Sequence, residues 1–296
     1  MKVRTWRCNA FLDLEAEYAE LARSKFVIFP VAYDGTATAL KGTRFGPDAI
    51  IDASNHLEWF DEQLREEFYR AGIHTHGHVL PEDISVEQAQ ERIYAAARPL
   101  VAQGKTIIAL GGEHSISAAL VKAVREGWAE LSVLHLDAHA DLRDSYQGST
   151  YNHACVMRRI HDLKVPVVSV GVRCYCREEY DFIKANNRTI ITPEMMADDL
   201  GGTIKAILQQ LSPCVYISFD IDALDPSLAP GTGTPQPGGL SYHEVLFLLE
   251  SVGRNKRIVS ADIVEVMPMA GSAVTETVAA RLAYKIIAYT QLYQGK

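Results

Sequence analysis

The stretch SVLHLDAHADLRD, residues 132–144, begins as an apolar segment and ends as a cluster of charge. Its first five residues, SVLHL, are typical of a strand that a parallel sheet buries on both faces. In an extended segment every second side chain points to the same side, so Asp137, His139 and Asp141 can converge. His135 shares that side but lies deeper, which favours a hydrogen-bonded core histidine. The stretch therefore predicts a buried strand that ends in two carboxylates and an imidazole.

Strand-like and helix-like patterns alternate along the chain. Runs typical of strands occur at residues 25–31, 106–110, 131–136, 166–172, 214–219 and 257–264. Helical patterns occur at residues 86–102, 115–126, 152–161, 177–185, 203–211, 242–252 and 275–289. This alternation predicts an α/β fold in which helices cover both faces of a parallel sheet. Ligands of such sheets gather at the carboxyl ends of the strands.

The composition is that of an ordinary globular protein. The 296 residues are 48% apolar and 22% charged, which predicts one domain over residues 1–296. The net charge of -8 argues against a nucleic-acid partner, because binding a phosphate backbone needs a basic face. No stretch approaches the roughly 20 apolar residues that span a bilayer, and the N-terminus lacks a signal-peptide pattern. We therefore expect a cytoplasmic protein without a membrane partner.

Two further strands end in the same way as the first. The segment CVYISFDIDALDP places Asp220 and Asp222 two residues apart after an apolar run, and TIIALGGEHS ends with Glu113 and His114. Any one of these endings could be an ordinary turn, since Asp is common in turns and at helix N-caps. Three of them on one sheet favour a metal site.

Charge indicates what kind of metal site this is. Four carboxylates in one place would repel each other, and their pKa values would rise until some became neutral. Two divalent cations balance four negative charges, and six side chains suit a pair of ions better than one. A ligand set of oxygens and two imidazoles without a thiolate favours Mn²⁺ over structural Zn²⁺. We expect two manganese ions per chain.

Several long motifs, in this order, resemble those of the ureohydrolases, the arginase and agmatinase family. They are GTRFGP at 42–47, GGEHS at 111–115, DAHAD at 137–141, SFDIDALDPSLAPGTGTPQPGG at 218–239 and DIVEVMP at 262–268. The resemblance runs from about Val27 to the C-terminal helix. It implies a three-layer α/β/α fold with a mostly parallel sheet of about eight strands. It also implies a di-manganese centre that hydrolyses a guanidinium group to urea and an amine.

The resemblance assigns the six side chains to the two ions. One ion would be held by His114, Asp137, Asp141 and Asp220, and the other by Asp137, His139, Asp220 and Asp222. The shared pair, Asp137 and Asp220, would bridge the metals.

The same resemblance supplies a mechanism. A guanidinium stays protonated at physiological pH and reacts slowly with water, whereas hydroxide held between two metals can attack its central carbon. His153, in TYNHACVMRR, would be the general acid or proton shuttle, the alternative being a helix-start histidine that faces solvent. Glu265, in DIVEVMP, would accept hydrogen bonds from the guanidinium, the alternative being a carboxylate that caps a helix.

The substrate is expected to be agmatine, hydrolysed to putrescine and urea for polyamine synthesis. Cys174 and Cys176 stand where arginases carry two aspartates, and a thiol is a poor partner for the α-ammonium of arginine. Ala154 begins a stretch that also lacks the arginase-like glycine and asparagine. Guanidinobutyrate, guanidinopropionate and arginine remain alternatives, since an arginine such as Arg158 could meet a carboxylate.

Two other classes of protein compete with a ureohydrolase. A zinc deacetylase of the related fold would use one ion and fewer acidic ligands, and an inactive regulatory relative would usually have lost a ligand. All four aspartates are present, which counts against both. By resemblance, the enzyme would be a homo-oligomer, a trimer or hexamer, that acts on a small cationic guanidine.

Four other features have simpler interpretations. HTHGH, residues 74–78, has no accompanying acid or thiol and is not expected to bind metal. Arg158 and Arg159 are expected to be ion-paired or at the surface. The glycine-rich loop at 230–239 either shapes the pocket wall or is an ordinary connection. Gln236 in that loop replaces a glutamate of many relatives, so a role for that acid is not carried over.

The cysteines are predicted to be reduced thiols. Cys8, Cys155, Cys174, Cys176 and Cys214 are scattered without a disulfide or zinc spacing. Whether Cys174 and Cys176 are redox-active stays open at this point.

Overall fold

The apolar half of the opening stretch forms a fully buried strand, Leu131–Leu136. The structure is a computed structural model that describes residues 10–79 and 84–294 of the chain. The prediction that Cys8 is a reduced thiol therefore lies outside the described residues. The four other cysteines are free, as predicted. Within the described ranges no helix has both the length and the apolar character needed to cross a membrane.

Eight strands form one sheet in which every pairing is parallel. In chain order they are β1 (Phe26–Val31), β2 (Ile73–Thr75), β3 (Thr106–Gly111), β4 (Leu131–Leu136), β5 (Val167–Val170), β6 (Ile190–Ile191), β7 (Cys214–Asp220) and β8 (Arg257–Val264). Their order across the sheet is β2-β1-β3-β8-β7-β4-β5-β6. The predicted parallel α/β fold is thereby confirmed. The two strands that sequence patterns did not indicate, β2 and β6, are the short edge strands.

Ten α-helices accompany the sheet in the described ranges. They are α1 (Ala16–Ala19), α2 (Gly46–Ser54), α3 (Val86–Ala102), α4 (Ser117–Gly127), α5 (Val156–Asp162), α6 (Arg177–Ala185), α7 (Pro193–Asp198), α8 (Leu200–Gln210), α9 (Tyr242–Asn255) and α10 (Val274–Gln294). All seven predicted helices are present; α3 and α6 have the predicted bounds, and the other five have shifted ends. Short 3₁₀ turns precede α4 and α5, which is why both helices begin later than predicted.

Alternate residues of each strand enter two separate hydrophobic cores, one on each face of the sheet. In β1, Phe26 and Ile28 pack in one core, whereas Val27 and Phe29 pack in the other. The first core includes apolar residues of α2, α8, α9 and α10, and the second includes those of α3, α4 and α5. These are the three layers that the family resemblance implied.

A buried ion pair attaches the long helix α10 to the turn after α2. Lys285 is 4% exposed and Asp61 is 3% exposed. The Lys285 ammonium donates to Asp61 Oδ1 at 2.9 Å and to Gln63 Oε1 at 3.0 Å. The same Asp61 oxygen also accepts the backbone N–H groups of Gln63 and Leu64. The pair is therefore fully hydrogen-bonded within the core.

We expect Asp61→Ala to lower the free energy of unfolding by about 3–5 kcal/mol, because it leaves the Lys285 charge buried without its counter-ion. Urea denaturation measures the loss. Glu62→Ala is the matched control, since Glu62 pairs with Arg281 at the surface and such pairs contribute about 0–1 kcal/mol. Equal losses in the two variants would contradict the prediction.

Candidate metal centre

The four central strands of the sheet bring the predicted site residues to one edge. His114 follows β3, Glu265 follows β8, Asp220 ends β7 and Asp137 follows β4. A cleft of about 340 Å³ opens there. Its walls include His114, His139, Asp141, Asp220, His153 and Glu265. The structure thus places these six predicted residues around one cleft, although their chemical roles stay predictions.

Three carboxylates surround one nitrogen of His114. Its Nδ1 atom lies 3.0 Å from Asp137 Oδ2, 3.3 Å from Asp141 Oδ2 and 3.3 Å from Asp220 Oδ2. This nitrogen is buried and makes no hydrogen bond. A buried polar atom that faces three oxygens without bonding to any of them fits a cation between the four groups. These are the four residues that the resemblance assigns to one ion.

The other nitrogen of His114 is held from behind. Its Nε2 lies 2.9 Å from Ser218 Oγ, and that hydroxyl donates to Asp262 Oδ1 at 3.0 Å. Since the Ser218 proton points to Asp262, the serine oxygen accepts the Nε2–H of His114. Asp262 is itself fixed by the hydroxyl of Tyr216 at 2.6 Å. This series of hydrogen bonds leaves the Nδ1 lone pair of His114 free to face the carboxylates.

A second donor group adjoins the first. His139 Nδ1 lies 3.1 Å from Asp222 Oδ2 and 3.5 Å from Asp137 Oδ1. The ligand atoms of these three residues lie within 4.8 Å of one another. Asp222 is fixed by the backbone N–H of Ala138, which donates to its Oδ1 at 3.0 Å. Asp137 therefore stands between both groups, which suits the bridging position expected of it.

The electrostatics of the cluster are those of uncompensated negative charge. Burial and the charges of Asp222 and Asp137 raise the pKa of Asp220 well above its usual value. Burial also acts to raise the pKa of Asp137, but its close contacts with the imidazoles of His114, His135 and His139 outweigh it and hold that pKa well below its usual range. One carboxyl is thus forced toward its neutral form. Divalent cations would reverse this, because they stabilise the ionised form.

The convergence of DAHAD has a different cause from the one that the alternation pattern suggested. The strand ends at Leu136, and Asp141 has a φ of 52°, so the segment is not extended throughout. The carbonyl of Asp141 accepts the backbone N–H groups of Met157 at 3.0 Å and Arg158 at 3.2 Å. This bond ties the residue to the start of α5. Glu265 also has positive φ, 62°, and such strain is concentrated at functional sites.

His153 lies in the same cleft, 16% exposed at its side chain and 3.5 Å from Glu113 through Nδ1. Burial acts to lower its pKa, but the hydrogen bond to Glu113 and the charges of Glu265, Glu113 and Asp141 raise the pKa of His153 to about 9. This raised pKa favours the protonated imidazole. It does not face open solvent, which disfavours the simpler interpretation of this residue.

Glu265 is attached to the first donor group by its backbone and its side chain. Its N–H donates to Gly112 O at 2.8 Å, and its Oε1 accepts the backbone N–H of His114 at 2.8 Å. Burial and the charge of Glu113 raise the pKa of Glu265 to about 8, against the opposing effects of His153 and His114. A cation next to this carboxylate would favour its ionised form.

The outer wall of the cleft differs from a site for an α-amino acid. Cys174 and Cys176 both line it, as does Glu179. The Glu179 oxygens are already occupied, since they accept the backbone N–H groups of Leu142 at 2.9 Å and Cys176 at 2.7 Å. Arg143 supplies a positive charge at this wall, its guanidinium 4.6 Å from the ring centroid of Tyr146.

The two arginines of α5 behave as predicted. Arg159 pairs with Asp144 at 3.0 Å and with Asp162 at 3.2 Å. Arg158 stacks on the ring of Phe182 at 3.9 Å and lies 3.7 Å from Asp144. Arg158 is not among the residues that line the cleft, so it does not supply the carboxylate contact considered for it.

Two other histidines that the sequence analysis considered, His135 and His78, have ordinary partners. His135 is fully buried, with Nε2 2.9 Å from Asp137 Oδ2 and Nδ1 3.1 Å from Ser169 Oγ. His78, in HTHGH, pairs with Asp48 at 2.8 Å. Two groups of side chains among the described residues could hold a metal ion, and both include Asp137. No residue of HTHGH belongs to either group. Gln236 places its side-chain amide 3.5 Å from His139 Nε2.

Several residues of the site were not predicted from sequence. Ser218 and Asp262 lie inside quoted motifs, but their alternation on apolar strands gives no sign of a hydrogen-bonded chain. Arg173 donates to the carbonyl oxygens of Asp222 at 2.8 Å and Gln236 at 2.7 Å. It thus holds the end of β7 against the glycine-rich loop. A lone arginine carries no pattern that could have indicated this role, whereas Glu113 stood in the quoted GGEHS motif.

Comparisons with known proteins agree with this geometry. Residues 24–288 match the model of the arginase family. The N(1)-aminopropylagmatine ureohydrolase of Thermus thermophilus is 39% identical over 285 residues, which cover 96% of each chain. That of Synechocystis sp. is 35% identical and covers 94% of this chain and 93% of its own. The crystal structure of the agmatine ureohydrolase of Thermoplasma volcanium superposes with a TM-score of 0.86 at 31% identity, covering 95% of this chain and 94% of that one.

We expect Ser218→Ala to weaken Mn²⁺ binding about 10- to 100-fold, because His114 loses the partner that fixes its orientation. Calorimetric titration of Mn²⁺ into metal-free protein measures the affinity. Ser132→Ala is the matched control, since this buried serine of β4 accepts a hydrogen bond from Ser212 N–H outside the cluster. Unchanged affinity in Ser218→Ala, or an equal loss in the control, would show that the hydrogen bonds from Ser218 and Asp262 do not affect metal binding through His114.

Proposed function

Because the chain belongs to the arginase family, we propose that this ureohydrolase releases urea from the guanidinium end of an agmatine-type amine. The observation that carries the proposal is the placement of His153 and Glu265 on the same cleft as the His–Asp cluster. The cluster supplies a place for cations, and the two flanking residues supply a proton donor and a carboxylate. Together these are the parts that hydrolysis of a guanidinium needs.

Two Mn²⁺ ions are proposed to bind the six predicted side chains. His114, Asp137, Asp141 and Asp220 would hold one ion, and Asp137, His139, Asp220 and Asp222 the other. The support is the unpartnered Nδ1 of His114 among three carboxylates and the oxygen-rich donor set, which suits manganese. When bound, the two ions lower the pKa of water and so supply a nucleophile at neutral pH.

Glu265 is proposed to bind the guanidinium. Its raised pKa reflects burial and the charge of Glu113, and a guanidinium would supply a positive charge together with a planar pair of N–H donors. Its backbone bond to Gly112 and its contact with His114 N–H fix the carboxylate at the edge of the cluster. A guanidinium bound by this carboxylate would lie beside the cluster.

His153 is proposed to donate the proton that the departing amine needs. The carbon–nitrogen bond breaks only if that nitrogen leaves as a neutral amine, and a protonated imidazole beside the cleft supplies the proton. The raised pKa of His153 favours that form. The enclosed position of the ring also limits competition from solvent.

The amine end of the substrate is assigned from the outer wall and from the relatives. Cys174 and Cys176 offer no charge to an α-ammonium, and the Glu179 oxygens are occupied by backbone donors, which disfavours arginine. The names of the relatives point to agmatine and to its N(1)-aminopropyl derivative, which share the guanidinobutyl unit. We propose this unit as the substrate class, in a cytoplasmic homo-oligomer whose product enters polyamine synthesis.

One observation favours a second candidate. Arg143 lines the cleft, and a guanidinium at that position would attract a carboxylate at the far end of the substrate. Guanidinobutyrate carries such a carboxylate after the same guanidino group. It is therefore the alternative substrate to test first.

Urea release from parallel substrates tests the proposal. The protein is stripped of metal, reloaded with Mn²⁺ and assayed with agmatine, N(1)-aminopropylagmatine, guanidinobutyrate and arginine. We expect the highest kcat/KM for one of the two amines, because neither carries a carboxylate or an α-ammonium. A preference for guanidinobutyrate would favour the second candidate. A preference for arginine would overturn the interpretation of Cys174 and Cys176. If none of the four compounds releases urea, the proposal is wrong.

Replacement of His153 tests the proton donor. The protonated fraction of the imidazole falls as pH rises through its raised pKa, so kcat of the wild-type enzyme should fall on the alkaline side of the profile. His153→Asn should lack this limb and should have a kcat about 10²- to 10⁴-fold lower. His161→Asn is the control, since His161 lies on α5 beside Arg188 and outside the cleft lining. An unchanged alkaline limb in His153→Asn would contradict the assignment.

A further inference from the structure

We infer that Thr36 and Glu113 form a positioning pair that holds His153 with its Nε2 atom toward the cleft. The inference rests on the proposed role of His153 as the proton donor. Neither residue is among those that line the cleft. Their effect would pass through the imidazole alone.

Glu113 is a fully buried carboxylate with a complete set of neutral donors. Ser115 Oγ donates to its Oε1 at 2.8 Å, and Thr36 Oγ1 donates to its Oε2 at 2.5 Å. The backbone N–H of Glu113 donates to Tyr33 O at 2.8 Å. The two side-chain bonds restrain the carboxylate, and a buried charge without a cationic partner would be costly. The group that faces it is His153, with Nδ1 at 3.5 Å.

Thr36 connects this carboxylate to His153 at two points. Its hydroxyl proton is given to Glu113, so the same oxygen is free to accept the backbone N–H of His153 at 3.0 Å. That oxygen also lies 3.3 Å from His153 Nδ1. The carbonyl of Thr36 accepts the side-chain N–H of Asn152 at 3.4 Å. Thr36 belongs to the connection between β1 and α2. This connection thus restrains both the backbone and the ring of His153.

The arrangement determines which nitrogen of His153 faces the cleft. Nδ1 faces Thr36 Oγ1 and Glu113 Oε2. A proton on this nitrogen is therefore directed at these two oxygens and not at the cleft. Nε2 points the other way, 3.4 Å from Thr38 Oγ1, and both Thr38 and His153 line the cleft. A carboxylate behind an imidazole holds its orientation and stabilises its protonated form. The proton that reaches the leaving amine would accordingly come from Nε2.

The test uses the Mn²⁺-loaded enzyme with its best substrate from the panel. Thr36→Val keeps the shape of the side chain and removes the hydroxyl, so we expect kcat to fall about 10- to 100-fold. KM and Mn²⁺ content should stay within about twofold of wild type, since no predicted ligand is changed. Thr36→Ser restores the hydroxyl and should recover most of the lost kcat. Thr43→Val is the matched control, because the hydroxyl of this buried threonine of the same loop has no hydrogen-bond partner.

A double-mutant cycle separates positioning from a general structural effect. Glu113→Gln should lower kcat about as much as Thr36→Val, and combining the two should cost little more than either alone. In a His153→Asn background, Thr36→Val should have no further effect on kcat, because the residue that it positions is gone.

Three results would overturn the inference while leaving the proposed function intact. These are a wild-type kcat in Thr36→Val, an undiminished effect of Thr36→Val in the His153→Asn background, and a loss of Mn²⁺ content that accounts for the lower rate. If the wild-type enzyme releases no urea from any substrate of the panel, the proposed function fails and the inference fails with it.

Discussion

The structure depends on one electrostatic constraint, the concentration of buried carboxylates at a single edge of a parallel sheet. Asp137, Asp220 and Asp222 are all at most 3% exposed, and burial with mutual repulsion forces the pKa of Asp220 upward. An apolar sheet does not tolerate such charge unless an opposite charge is present. The backbone N–H groups and imidazoles around the cluster offset only part of it. What remains is a surplus of buried negative charge that bound cations could offset.

The groups around the cluster are organised to keep its geometry once it is formed. Behind His114, Ser218 and Asp262 direct the ring, and at the far side Arg173 ties the end of β7 to the glycine-rich loop. Asp141 accepts its strained backbone angle because its carbonyl is bonded to the start of α5. Each of these contacts acts on the orientation of a donor atom. The geometry of the site therefore depends partly on residues that do not line the cleft.

The fold could be predicted from the sequence because its central strands are long, apolar runs and its helices are strongly periodic. The edge strands β2 and β6 have three and two residues, too few for a pattern, and α2 begins at a glycine–proline pair that looks like a loop. The six candidate ligands could be found because they follow strands directly. The residues that support these ligands could not be predicted. Ser218 and Asp262 look like ordinary strand residues, and Arg173 acts through carbonyl oxygens that any sequence would provide. The sequence also predicted an extended segment through Asp141, which the structure does not have. An alternation pattern cannot indicate the positive φ of Asp141.

The order of the strands has a consequence for how the molecule comes together. β3 and β4 follow one another along the chain, yet β8 and β7 lie between them in the sheet. The middle of the sheet can therefore close only after the last two strands have been inserted, and contacts between residues so distant in sequence form slowly. A chain shortened before β8 would have a gap where the donor atoms should meet. Cations that bind only the closed form would shift the equilibrium toward it by mass action, so metal supply would govern how much of this protein reaches its native state.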